Sequence, residues 1–212
     1  MILRQLVEPL YERYLKMQYH HIPNHIAIIQ DGNRRYAKRL GIDTAKGHRA
    51  GADKTEEMLD WAHELGIKHI TLYTFSTENF SRQLREAVNN AENATKGNCG
   101  FCLNIALAYG GRNEIVLAAR EILSAVAKNE VSPEMINVHM VEQHLHDKKG
   151  IPPVDLIIRT GNEYRTSNFL PWLANGHESA VYFCAPYWPL FRKIDLLRAI
   201  RIYDQRVCAK RT

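Results

Sequence analysis

Apolar residues along the chain fall into short dense runs, separated by longer stretches in which they recur at helical spacing. The run His25-Ile26-Ala27-Ile28-Ile29-Gln30 has the length and β-branched content of a buried strand. Runs at 67–75, 101–109, 154–158 and 180–184 predict four more. Between them the pattern predicts helices over 34–41, 50–64, 84–96, 113–128, 133–146 and 194–207. Met58, Leu59, Trp61 and Ala62 mark the apolar side of the second, and Gly66 stops it. At the N-terminus Leu3, Leu6, Leu10 and Tyr14, with Val7 and Tyr11, predict an amphipathic helix over 2–19, packed on the domain rather than lying in lipid. There is no internal repeat and no Pro/Gly/Ser-rich linker. Strands spaced by helices of this length predict an α/β fold, with residues 1–212 forming a single domain around a mostly parallel central sheet flanked by helices.

Composition removes alternatives. Of the 212 residues 45% are hydrophobic and 24% charged, which excludes a disordered or collagen-like chain. The net charge of +5 suits an anionic ligand such as phosphate, or a membrane surface, and does not demand nucleic acid; no nucleic-acid partner is expected. No stretch approaches ~20 apolar residues, and Arg4, Glu8, Glu12 and Arg13 interrupt any signal-peptide core. The expected location is cytoplasmic, with peripheral membrane contact open. Four cysteines are scattered apart from Cys99-Gly100-Phe101-Cys102, without a second CxxC or an HExxH, so reduced thiols are preferred over a redox pair or half a zinc site. His20, His21 and His25, in a polar lead-in to a strand, read as surface residues.

In parallel sheets ligands sit beyond the carboxyl ends of the strands, and here those ends carry chemistry. The predicted strands run into Asp31-Gly32-Asn33-Arg34-Arg35, into Ser76-Thr77-Glu78-Asn79-Phe80-Ser81-Arg82, into Tyr109-Gly110-Gly111-Arg112, and into a stretch from Arg159 through Gly161, Glu163 and Arg165 to Asn168. Arg35, Arg82, Arg112, Arg159 and Arg165 supply planar forks for phosphate oxygens. Gly32, Gly110, Gly111 and Gly161 allow close backbone approach, and a helix after Gly32 offers its positive end. Asp31, Glu78 and Glu163 would repel phosphates unless a cation lies between, and Mg²⁺ is the economical choice. Each cluster has a plainer reading: Asp31-Gly32 as a hairpin turn, Arg159-Thr160-Gly161 as a strand exit, Tyr109-Gly110-Gly111 as a turn. Their joint arrival at one edge favours a site. A P-loop, a GxGxxG dinucleotide loop and a nucleophile elbow are all missing.

The chain resembles the cis-prenyltransferases, the undecaprenyl diphosphate synthase-like enzymes. The resemblance is carried by HIAIIQDGNRRYAK from His25, GHRAGADK from Gly47, ITLYTFSTENFSR from Ile70, LNIALAYGGRNEIV from Leu103, VDLIIRTGNEYRTSNFLPW from Val154 and VYFCAPYWPLF from Val181, in family order along nearly the whole chain. It implies Mg²⁺-dependent transfer of the prenyl group of an allylic diphosphate to isopentenyl diphosphate, with a new cis double bond. By position, Asp31 is the carboxylate that holds Mg²⁺ on a diphosphate, with Glu178 a second acidic residue at the metal. Gly32, Asn33, Arg34, Arg35, His48 and Arg82 are implied at the allylic diphosphate. Ser76 and Asn79 are implied in deprotonation; no strong base stands out, and the departing diphosphate or an Asn/Ser relay both serve. Arg159, Arg165 and Ser167 are the implied isopentenyl diphosphate clamp. The family also implies a homodimer, and the apolar residues of 194–207 read as more than one packed face requires, so that helix and 180–184 are expected at a two-fold interface.

Departures from the family pattern are Thr44 in place of a usual Arg, Asn162 in place of a usual Gly, and no evident C-terminal RxG. The largest follows Arg82, where the family continues with a long helix and another strand that wall the tunnel for the growing chain. Either that region is short here, or a segment of a few dozen residues belongs between 82 and 83; the second is preferred. The runner-up function is a catalytically silent partner subunit of a heteromeric prenyltransferase, which lacks the Asp-Gly-Asn carboxylate and the Arg clamp that this chain keeps.

Overall fold

A computed structural model describes residues 2–74, 82–107, 109–145, 151–174 and 179–209, and their side chains apart from those of 2–6, 74 and 82–85. Five strands, β1 (His25–Ile29), β2 (His69–Thr74), β3 (Cys102–Leu107), β4 (Leu156–Arg159) and β5 (Ala180–Phe183), form one all-parallel sheet in the order β3-β2-β1-β4-β5. Seven α-helices are described: α1 (Ile2–Lys16), α2 (Asn33–Leu40), α3 (Thr44–Glu64), α4 (Arg82–Thr95), α5 (Gly111–Ala127), α6 (Val138–His144) and α7 (Lys193–Ala209). None of them is long and apolar enough to cross a membrane.

The alternation of side chains along each strand builds two cores. Ile26, Ile28, Ile70, Leu72, Leu156 and Ile158 face Leu15 of α1, Met58 and Ala62 of α3, Leu196, Leu197 and Ile200 of α7, and the stacked pair Trp188 and Phe191. On the other face Ala27, Ile29, Tyr73 and Ile157 meet Val154, Phe169 and Leu170, with Tyr73 stacked on Phe169. The central β1 is buried along its whole length, as its unbroken apolar run requires. Ile194, Leu196, Leu197, Ala199 and Ile200 of α7 are buried within this one chain, while Ile202 and Tyr203 are half-buried.

Two expectations are corrected. The helix predicted over 133–146 is a 3₁₀ turn (Pro133–Met135) followed by α6, because the Asn137 side chain accepts from Met140 N and starts a new helix there. His25 is not a surface residue. It is fully buried, its Nδ1 donates to Pro152 O at 2.7 Å, and its Nε2 lies 2.7 Å from the Thr71 hydroxyl. A carbonyl can only accept, so Nδ1 carries the proton and Nε2 accepts from Thr71. Burial pushes the His25 pKa below the usual histidine range. His21 is half-buried against Asp204, and His20 is exposed.

The edge strand β3 has no partner on its outer side among the described residues. Leu103 is 39% and Ile105 52% exposed, although their register neighbours Ile70 and Leu72 on β2 are buried.

Candidate active site

Parallel pairing delivers all five carboxyl ends to one edge. Ile29 is in register with Tyr73 on one side and Arg159 on the other, and Arg159 with Phe183. The segments after β1 and β4 therefore leave the sheet side by side.

Arg159 closes β4 with its side chain only 2% exposed. A guanidinium at that depth needs hydrogen-bonded counter-charge. Its Nη2 donates to Asp31 Oδ2 at 2.9 Å, and its Nη1 to Arg165 O at 2.6 Å and Ser167 Oγ at 2.5 Å. One side chain thus fixes the carboxylate after β1 and shapes the loop after β4. Asp31 is clasped through its backbone as well. Its N–H donates to Thr160 Oγ1 at 3.0 Å, and its carbonyl accepts from Trp188 N at 3.0 Å.

The other Asp31 oxygen receives Arg35 Nη2 at 2.9 Å, from the first turn of α2. Arg35 lies 5.4 Å over the Tyr187 ring. Its Nη1 is 3.6 Å from Glu163, whose second oxygen is 3.4 Å from Arg165. Three arginines thus meet two carboxylates, and the network is left with a positive excess suited to an anion.

Backbone geometry opens the site. Gly32 (φ 112) precedes α2, and a Cβ there would sit 2.8 Å from Tyr187. No side chain caps α2, so the N–H groups of its first turn are left for a ligand. Gly161 (φ 85) lets Arg35 pass where a Cβ would be 2.7 Å from its Nη2. Asn162, Ser167, Asn168 and Leu170 also have φ between 47 and 60. Four side-chain-bearing residues in the left-handed region within one short loop is the concentration of strain found around ligand clamps. At Asn162 this conformation explains why glycine suits the position. Asn168 ties in the loop after β3: its carbonyl accepts from Gly111 N, and its Oδ1 from Arg112 N, both at 3.0 Å.

The predicted site residues divide into three groups. Asp31, Gly32, Arg35, Arg159, Arg165 and Ser167 are brought together, with Asn33 next in the chain and its side chain against Gly51 of α3. Arg34 and His48 are exposed on α2 and α3, outside the ion-pair network. Ser76, Asn79 and Glu178 lie outside the described residues, and Arg82 opens α4 with its side chain outside them. Sequence reasoning missed Tyr187, the Thr160 clasp and the seat of α2. For the last there was a signal in Gly47-x-x-x-Gly51: a Cβ at either position would lie within 2.6 Å of Asn33.

The Asp31 carboxylate could hold a divalent cation. Each Asp31 oxygen accepts one guanidinium and keeps a further lone pair, and the carboxylate is partly open to solvent. Tyr109, whose hydroxyl donates to the buried Glu114, has its pKa raised by burial and by that carboxylate.

A family model for undecaprenyl diphosphate synthases matches residues 29–89 and 81–210. The chain is 43% identical to a tritrans,polycis-undecaprenyl-diphosphate synthase (geranylgeranyl-diphosphate specific) of Halobacterium salinarum, over 95% of this chain and 80% of that protein. The protein of the same name from Archaeoglobus fulgidus is 45% identical over 87% of this chain and 90% of its own length. A solved lavandulyl diphosphate synthase from Lavandula x intermedia, in complex with dimethylallyl diphosphate, superposes with a TM-score of 0.77 at 31% identity, covering 86% of this chain and 95% of that one. The Halobacterium alignment spans 244 residues against 212 in this chain, so at least 32 residues of the relative have no counterpart here. The two stretches of the family match meet at 81–89, beside the start of α4.

Proposed function

The chain belongs to the undecaprenyl diphosphate synthase family of cis-prenyltransferases, and from that footing we propose that it transfers the prenyl group of an allylic diphosphate to isopentenyl diphosphate with Mg²⁺ as the metal. The observation that carries the reading is the Asp31 carboxylate, fixed by Arg159 and Arg35 beside the uncapped start of α2.

Breaking the allylic carbon–oxygen bond places negative charge on the leaving diphosphate. Arg35, the Gly32 turn and the first-turn amides of α2 receive that charge without reorganising, because Tyr187, Asp31 and Glu163 already hold Arg35 in place. Asp31 is the group that would hold Mg²⁺, and the bound cation would supply further neutralisation of the leaving group. Arg165 and the 162–170 loop form the acceptor clamp, with Arg159 as its buried anchor. Once the new carbon–carbon bond leaves a cationic centre on the acceptor, the proton lost from the adjacent carbon, whose loss forms the new double bond, goes to the departing diphosphate or to a relay through Ser76 and Asn79. Glu178 is a second metal-side carboxylate, and Arg34, His48 and Arg82 complete the donor end.

The relatives' names make geranylgeranyl diphosphate the first donor to try, and the lavender enzyme's complex with an allylic diphosphate supports the donor class. A homodimer is retained from the family resemblance alone. The segment between 82 and 83 is retained as well, supported by the unmatched residues of the relatives and by the open face of β3. The test is incubation with labelled isopentenyl diphosphate, Mg²⁺ and allylic donors of several lengths. Extended products with cis double bonds are expected; no product from any donor would favour the silent-subunit reading.

A further inference from the structure

We propose that His21, Asp204 and Cys208 form a second metal site, separate from the strand-end network, for a thiophilic divalent cation of the Zn²⁺ class. The three residues offer an imidazole nitrogen, a carboxylate oxygen and a sulfur, all within 4.8 Å of one another. They lie on the amino-terminal side of the sheet: His21 precedes β1, whereas Asp31 follows it.

The carboxylate is the reason to read this as a site. Asp204 is buried, and its two oxygens are served unequally. Oδ1 accepts from His20 N at 3.1 Å, from His21 N at 2.8 Å, and from His21 Nδ1 at 2.6 Å. Oδ2 faces the Cys208 thiol at 4.0 Å, a weak donor at the limit of contact. A fixed anionic oxygen with a sulfur and a nitrogen at its side is the ligand set that Zn²⁺ takes, with bonds of roughly 2.0–2.3 Å.

Asp204 and Cys208 are four apart on α7 and share a face, so one ion beside Asp204 can reach both of them and His21. On binding, the metal takes the place of the proton on His21 Nδ1, which exchanges with solvent. The Cys208 thiol releases one proton to solvent as the metal–sulfur bond forms. Water takes the fourth position. The ion would staple the segment between α1 and β1 to α7, against which α1 already packs.

Cobalt(II) titration tests this, followed by its thiolate charge-transfer band. Cys99 and Cys102 are both exposed, so they are first changed to serine to remove a competing thiol pair. Excess Mg²⁺ occupies the strand-end carboxylates. The expected result is one equivalent of Co²⁺ with a sulfur-derived band, displaced by Zn²⁺, accompanied by a higher melting temperature. Cys208→Ala should abolish the band, and His21→Gln should weaken binding about tenfold or more. Cys208 is exposed, so its variant is expected to fold, which far-ultraviolet circular dichroism checks. Binding without a thiolate band, or a band that survives Cys208→Ala, would overturn the proposal.

Discussion

Arg159 and Asp31, 128 residues apart in sequence, are joined by a 2.9 Å hydrogen bond between the buried end of β4 and the residue just past β1. The pair couples folding to chemistry. Removing the carboxylate takes away the candidate metal ligand and also leaves a buried guanidinium without its counter-charge.

Asp31→Ala should therefore have two effects. Turnover should fall by at least ~10²-fold. Stability should fall by about 2–3 kcal/mol, the lower end for a broken ion pair, because the carboxylate is partly exposed. Asp31→Asn keeps an acceptor for Arg159 and should separate the two, with most of the stability retained and the activity lost. Urea denaturation alongside kinetics makes the comparison.

Arg165 contributes differently. Its side chain is 70% exposed and its pairing with Glu163 is long, at 3.4 Å, so Arg165→Lys should change stability by less than about 1 kcal/mol. The lost fork should raise KM for isopentenyl diphosphate more than KM for the allylic donor. The opposite ranking would exchange the two diphosphate sites.

Gly161→Ala should disorder the network without replacing any charged side chain. Its φ of 85 is strained for alanine, and the added Cβ would meet Arg35 at 2.7 Å. A stability loss of about 1–3 kcal/mol is expected, together with weaker binding of the allylic donor, measured by product inhibition with inorganic diphosphate.

His25 predicts a pH dependence. Its folded pKa lies below the unfolded value near ~6.5. Above that value both states are neutral and the contribution of its hydrogen bonds is complete. As pH falls below it the unfolded chain takes up the proton first, so stability declines down to the lowered folded pKa. Melting temperatures between pH 7.5 and 5, in roughly half-unit steps, should show this decline. A His25→Asn variant should be less stable overall and flatter over the same range.

Much of this was legible in the sequence, and the reasons are specific. The β1 run and the strand-end clusters were readable because a parallel sheet forces apolar strands and polar ends into register. Asp31, Arg159 and Gly32 follow from that rule. Arg159's burial was not readable, since arginine at a strand end is ordinarily exposed, and only the β1–β4 register puts Asp31 within its reach. Tyr187 and the Thr160 clasp depend on loops that cross between strands, and no local pattern encodes them. His25 was misread because a polar lead-in looks like surface until Pro152 and Thr71 close over it. The apolar face of α7 was legible, but how much of it the chain's own core covers was not.

The start of α4 carries a prediction about the chain itself. If a segment belongs between 82 and 83, the protein isolated from its source should exceed the 24.4 kDa of the given sequence by several kilodaltons. Leu103 and Ile105 should then be protected from solvent. Intact mass spectrometry reads the first, and an unchanged mass would mean that β3 is open in the working protein, with short products expected.

The most direct measurement is incorporation of label from isopentenyl diphosphate into extractable prenyl products, by the wild type and by Asp31→Asn, with Mg²⁺ and after chelation. The account predicts wild-type incorporation that requires both the allylic donor and the metal, and that falls at least ~10²-fold in the variant. Incorporation that persists in well-folded Asp31→Asn, or none at all from well-folded wild type with every donor, would contradict it.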